Sequence, residues 1–391
     1  MSSVKRHRRR QKLRRLSGLS LRHGEQAGMM VGRELCVQAA AGTMLILRGQ
    51  DVGRLLESRE RDVLDAVLHA YRTHAERATS LPHSVFLRFP DDAANRIIAL
   101  PAYLGGPEPV AGVKWVSSFP GNVRRGLDRA SAVIVLNSTT TGRPIALLEG
   151  SLISAQRTGA SAALAAAALH PDPVEAVALV GCGRIGFEIV RFLRVTRPEL
   201  QRVTAYDVDR SRATSFVERC RRVLPGLEAA AADDFPRLLV EHELLAIATT
   251  ALEPHMDLES CPRGSTMLHI SLRDLTPAAI LACDNVVDDA DHVCRAGTSL
   301  HLAQQMVSHR RFIRCSIGEI LCGTAAARPD RAATTVFSPF GLGILDLAVA
   351  SRVVERPRSE EVGIELEGFA LTPEGQPEPT AAVPPTRPSV A

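Results

Sequence analysis

The sequence predicts an α/β protein in which a doubly wound parallel sheet is joined to an α+β unit built on an antiparallel sheet. Three observations predict this. Residues 85 to 149 are short runs of β-formers separated by Pro, Gly and Asp, as in consecutive antiparallel strands. From Glu175 onward, strand-like runs alternate with helical ones, the pattern of a parallel sheet. Between them lies an alanine-rich helical stretch, Ser151 to about His170, closed by a "PDP" break. The 391 residues suit roughly two domains.

In order along the chain, residues 1 to 27 form a basic tail. Of the 47 Lys and Arg, nine lie within the first 24 residues, which hold no acid; 38 remain against 43 Asp and Glu, so the body is mildly acidic. Such a tail can attract nucleic acid or an anionic membrane surface, but no aromatic residue interleaves for base stacking. A disordered extension is the expected reading. Residues 28 to 150 form a substrate-binding and dimerisation unit, completed by residues of about 335 to 355. It opens with a helix whose apolar positions Val63, Leu64, Val67, Leu68 and Tyr71 keep helical spacing. The strand runs "VFLRF", "RIIAL", "VAGVKWVSS" and "SAVIVLN" follow, and "STTTGRP" turns the chain into "IALLEG". Residues 151 to 334 form the parallel-sheet unit, with strands at "EAVALV", "RVTAYD", "LLAIATT", "TMLHISL" and "DNVVDD". Residues 356 to 391 are proline-rich and expected to be mostly disordered, although "VGIELEGFAL" there has strand character.

Eight cysteines, none in a C-x-x-C pair, are expected to be reduced thiols in the cytoplasm. No run matches a secretory signal or a bilayer-spanning helix. "DDADHV", residues 288 to 293, matches no metal-ligand spacing and is expected to be a solvated acidic loop. No metal, nucleic-acid or membrane partner is expected.

"ALVGCGRIGFEIV" places Gly181, Gly183 and Gly186 in G-x-G-x-x-G spacing after a strand and before a helix. Asp207 follows twenty-one residues later, at the end of the next strand, completing the dinucleotide fingerprint of a Rossmann fold. The helix N-terminus faces the pyrophosphate. An aspartate at the ribose favours NAD over NADP, because it repels a 2′-phosphate; Arg210 and Arg212 stand nearby. Arg184 and Ile185 fill the turn. Thr249, Thr250 and Ser271, at the carboxyl ends of two later strands, complete the expected cofactor set.

Four charged residues sit in apolar surroundings: Arg88 in "FLRFP", Lys114 in "GVKWVSS", Arg157 in "SAQRTGASAA" and Asp274 in "HISLRDLTP". Three cations and an acid near a cofactor cleft suit an amino acid substrate, since guanidinium forks match carboxylates. Lys114, flanked by Val113, Trp115 and Val116, requires a partner: a substrate carboxylate, or an internal acid such as Glu149.

"GVKWVSSFPGN", "SAQRTGASAA", "VGCGRIG", "LHISLRD" and "FSPFGLGILDLAVA" resemble the ornithine cyclodeaminase/μ-crystallin family over residues of about 30 to 355. The resemblance implies Lys114 as substrate lysine, Arg88 and Arg157 as carboxylate-binding arginines, Asp274 as catalytic aspartate, and a homodimer joined through the first sheet. "SLPHSVFLRFP", "RIIALPAYLGG" and "VKWVSSFPGNV" resemble the branch that oxidises and hydrolyses N-[(2S)-2-amino-2-carboxyethyl]-L-glutamate to L-2,3-diaminopropionate and 2-oxoglutarate for siderophores or peptide natural products. Before its aspartate this chain has "SLRD" where cyclodeaminases carry a "GGD" type segment, which argues against ornithine. Ornithine cyclodeamination, another amino acid dehydrogenase or imine reductase activity, and μ-crystallin-like ligand binding are the alternatives.

Overall fold

A computed structural model describes residues 42 to 355 and 362 to 370. The basic N-terminal tail and most of the proline-rich C-terminal one lie outside the described residues. Two sheets organise the chain. The first contains β1 (Met44–Leu47), β2 (Thr79–Ser80), β3 (Val85–Phe89), β4 (Asp92–Leu104), β5 (Val110–Ser118), β6 (Ala130–Asn137), β7 (Pro144–Glu149) and β16 (Ile364–Leu366). Its order is β16-β1-β7-β6-β5-β4-β2, with β3 also on β4. Pairing is antiparallel as expected, except that β1 runs parallel to β7. The strand character of "VGIELEGFAL" is realised in β16, which pairs with β1.

The second sheet is parallel throughout: β8 (Ala176–Val180), β9 (Arg202–Tyr206), β10 (Glu228–Ala231), β11 (Leu244–Ile247), β12 (Thr266–His269), β13 (Asp284–Val287), β14 (Ile313–Ser316) and β15 (Thr335–Ser338), in the order β10-β9-β8-β11-β12-β15-β13-β14. The chain builds outward from β8 through β10 and then returns to β11 on the other side. The crevice at the carboxyl ends of β8 and β11 is therefore the topological switch point, where open α/β sheets bind ligands. Residues 335 to 338, expected to complete the first unit, belong instead to this sheet; the return begins only with the helix that follows.

The five longest described helices are α1 (Glu60–Ala75), α2 (Ser151–Leu169), α3 (Arg184–Thr196), α4 (Arg210–Val223) and α5 (Gly343–Val354). α2 is buried along most of its length, and its small side chains let it lie against α3, while α1 and α5 pack beside it. Tyr71 on α1 is fully buried and hydrogen-bonds the Ser161 hydroxyl on α2 at 2.7 Å. α5 covers β4, β5 and β6, so one face of the first sheet is dry. On β5 the alternation puts Val110, Lys114 and Ser118 on that face and Trp115 on the other. The strand is thus buried on one side only, and the tryptophan that made it look fully buried is 43% exposed.

Candidate active site

The cofactor side is assembled from local sequence. β8 is followed by Gly181, whose φ is +98° and where a Cβ would lie 2.4 Å from the Ala248 carbonyl oxygen; only glycine permits this turn between two strands. Gly183 caps α3, Ile185 packs on the core, and Gly186 is buried on the first turn of that helix. Asp207, just past β9, accepts the Cys182 backbone N–H at 2.9 Å through one oxygen and the Asp209 N–H at 3.1 Å through the other. Its carboxylate is thereby aimed back at the glycine turn. Arg212 stands 3.9 Å away. Burial and the Asp207 charge push the Cys182 thiol up to about 12, so it is not a nucleophile at neutral pH. These groups fit a dinucleotide with an unphosphorylated adenosine ribose. Arg184 reaches away from the turn to Asp128 in the β5–β6 connection, at 2.6 Å.

Asp274 follows β12. Leu272, buried and at φ +70°, bends "SLRD" so that Ser271 and Asp274 face each other. The Ser271 and Thr249 hydroxyls donate to the two Asp274 oxygens, and His269 Nε2 lies 3.4 Å from the carboxylate. Burial alone would raise the Asp274 pKa, but the bonds from His269, Ser271 and Thr249 outweigh it and hold the carboxyl below its usual range. Two of the expected cofactor residues therefore use their hydroxyls to fix the acid, while Thr250 is exposed. His269, fully buried and pushed down by burial, contacts the Ser338 hydroxyl at 3.1 Å through Nδ1.

On the first sheet, Lys114 Nζ donates to Asp346 Oδ2 at 2.6 Å and to Ser154 Oγ at 3.3 Å. Arg157 Nε donates to the other Asp346 oxygen at 3.1 Å. β5, α2 and α5 each supply one member of this cluster. Asp346 is fully buried; burial would raise its carboxyl, but Arg157 and Lys114 hold it below the ordinary range. Two cations share one anion, so the cluster keeps a net positive charge. Burial, with Arg157 adding to it, brings the Lys114 ammonium down to about 8 against the pull of Asp346. Glu149, weighed as a partner for Lys114, instead caps α2 by accepting the Ser151 and Leu152 N–H groups at 2.7 and 3.1 Å. Asp346 was missed because nothing in "GILDLAVA" marks it except a lone acid in an apolar helix.

The guanidinium of Arg157 lies against Gly341, where φ is +91° and a Cβ would approach Arg157 Nη1 to 2.8 Å. That loop is braced by Asp288, which accepts the Phe340 and Gly341 N–H groups at 2.8 and 2.7 Å. "DDADHV" is therefore no solvated loop: Asp288 is buried, and Asp289 caps a short helix while holding His74 and His292. Arg88 does not join Lys114 and Arg157. It is exposed on β3 and pairs in register with Arg96, four residues farther along the sheet than Leu100, the partner of Lys114.

A dinucleotide turn at the switch point, a fixed carboxylate on the neighbouring strand end and a buried net-positive cluster define an oxidoreductase that uses a dinucleotide on an amino acid. The chain belongs to the ornithine cyclodeaminase/mu-crystallin family, whose model matches residues 43 to 361. It is 27% identical to the N-((2S)-2-amino-2-carboxyethyl)-L-glutamate dehydrogenase of Staphylococcus aureus over 83% of this chain and 98% of that protein. Among solved structures it is similar to the Thermococcus litoralis Delta(1)-pyrroline-2-carboxylate reductase in complex with NADH and L-proline, with a TM-score of 0.77 at 25% identity over 83% of this chain and 100% of that one. An archaeal alanine dehydrogenase dimer with bound NAD gives 0.75 at 28% identity over 84% and 100%.

Proposed function

We propose that this protein uses NAD to oxidise N-[(2S)-2-amino-2-carboxyethyl]-L-glutamate, and that hydrolysis then releases L-2,3-diaminopropionate and 2-oxoglutarate. The observation that carries the reading is the Lys114–Asp346–Arg157 cluster, whose spare positive charge calls for a carboxylate beside the dinucleotide turn. The substrate assignment is supported by the name of the Staphylococcus aureus relative and by "SLRD" before the catalytic acid. NAD, when bound, would supply the acceptor for a hydride from the glutamate α-carbon. Asp207 would hold the adenosine ribose and disfavour a 2′-phosphate. Lys114 and Arg157 would fix an α-carboxylate and so orient that carbon. Asp274, an anion at neutral pH, would stabilise the cationic imine and align the water that adds to its carbon. The C–N bond then breaks, and the departing amine leaves with a proton.

The supply of 2,3-diaminopropionate to siderophores or peptide natural products belongs to this proposal, as does a homodimer. The open face of the first sheet supports the dimer: Val85, Leu87, Tyr103, Trp115 and Val133 are exposed there. The seven described cysteines are all free, in keeping with a cytoplasmic protein, and no described helix is long and apolar enough to cross a membrane.

Incubation of the full chain with NAD and the glutamate adduct should give NADH, 2-oxoglutarate and L-2,3-diaminopropionate in equal amounts. Conversion of ornithine to proline and ammonia with the adduct untouched would overturn the substrate assignment. Tight ligand binding with no NADH from any amino acid would favour the ligand-binding alternative.

A further inference from the structure

The mechanism leaves Arg96, Arg129 and Arg273 without a task, and Arg88, expected to bind a carboxylate, stands with them rather than beside Lys114. Arg88 and Arg96 face each other across β3 and β4, and Arg96 is in turn paired with Ser118 on β5. The Ser118 hydroxyl accepts from Arg129 Nη1 at 2.7 Å, which brings a third guanidinium into the row. Arg273, the residue before Asp274, is anchored to the Ala296 carbonyl at 2.8 Å and feels the charges of Arg96 and Arg88. None of the four has an ion-pair partner among the described residues, and the buried Nε of Arg96 has no hydrogen-bond partner there. Arg96, Arg129 and Arg273 are partly buried, and burial followed by their mutual repulsion lowers the pKa of each. Gathering like charges in a partly desolvated place is costly unless an anion completes it.

The row lies on the same face of the sheet as Lys114. Ser118 is four residues beyond Lys114 on β5, about 13 Å of strand. A substrate with carboxylates at both ends can span a separation of that order. Arg273 ties the row to the strand end that carries Asp274.

We infer that Arg88, Arg96, Arg129 and Arg273 form a second anionic subsite, which takes a distal carboxylate of the substrate and selects amino acids carrying acids at both ends. This rests on the proposed amino acid oxidation but not on the identity of the adduct. Monocarboxylate substrates such as alanine or proline leave the row uncompensated. A glutamate-derived secondary amine, with three carboxylates, can satisfy both clusters together.

The test uses the full-length protein and two probes, 2-oxoglutarate and pyruvate, titrated calorimetrically into the NADH-loaded enzyme, alongside KM and kcat for the glutamate adduct. Wild type should bind 2-oxoglutarate more tightly than pyruvate. Arg96→Gln and Arg129→Gln should each weaken 2-oxoglutarate by roughly ten- to hundredfold, leave pyruvate unchanged and raise KM far more than they lower kcat. Arg96→Lys should restore part of the loss. If Arg96→Gln does not fold, Arg129→Gln carries the same comparison. Equal binding of the two acids by wild type, or an unaltered preference in the folded variants, would overturn the subsite. Were the adduct not turned over while the 2-oxoglutarate preference and its loss persisted, the subsite would stand and the substrate assignment would fall.

Discussion

The two cationic clusters on the first sheet share a face and differ in almost everything else. At Lys114 and Arg157 the charges are buried and held by Asp346 from α5. At Arg88, Arg96 and Arg129 the charges are partly solvated, and their side-chain neighbours are neutral: Arg129 donates to the Ser118 hydroxyl and Arg88 lies over the Phe86 ring. The first arrangement carries its own counter-charge and retains a surplus positive charge. The second has no ion-pair partner among the described residues. A buried cation needs its counter-charge built in, whereas one at a cleft mouth can wait for a ligand.

The largest effect should come from Asp346→Asn, which strands two buried cations and is expected to cost about 3–5 kcal/mol in urea unfolding. Arg96→Gln, which relieves repulsion, should leave stability level or raise it. Equal losses at both sites would erase the distinction.

A second effect is in pH. With its ammonium brought down to about 8, Lys114 loses its charge above that pH. Anion binding needs the charged form, so kcat/KM should hold below about 8 and fall tenfold per unit above it. Lys114→Arg should abolish that limb. The linkage to stability has the opposite sense. The unfolded chain keeps this proton up to about 10.5, so stability rises with pH between about 8 and 10.5.

The smallest expected effect is in salt. Screening acts on the solvated row and hardly on the buried cluster, so KM for the adduct should rise roughly two- to fivefold between about 0.05 and 0.5 M salt. The Arg96→Gln/Arg129→Gln double variant should lose most of that dependence.

Legibility in the sequence follows how local each feature is. The glycine turn and Asp207 lie within twenty-seven residues and two strands, so spacing alone located them. Arg157 and Lys114 stood out as charges in apolar runs, but which acid they meet is a matter of packing. Asp346 is 189 residues from Arg157 and 232 from Lys114 in sequence, and Glu149, far nearer, is used as a helix cap. Arg88 matched the family pattern, yet strand register sends it to Arg96 rather than to Lys114. Arg96 lies inside β4, and Arg129 and Arg273 lie in connections; none gave a periodic signal, because a surface arginine is the ordinary expectation at each. Thr249 and Ser271 were found by strand-end position, but their hydroxyls turned out to serve Asp274.

Trp115 is the only tryptophan of the chain, and it stands half-open to water on the bare face of the sheet, next in sequence to the lysine of the site. Emission excited at wavelengths that tyrosine does not absorb is therefore a reading of that one patch. If two copies close over it, the spectrum shifts to the blue as concentration rises, and dilution shifts it back. The molecule carries its own optical gauge of assembly, with no label attached.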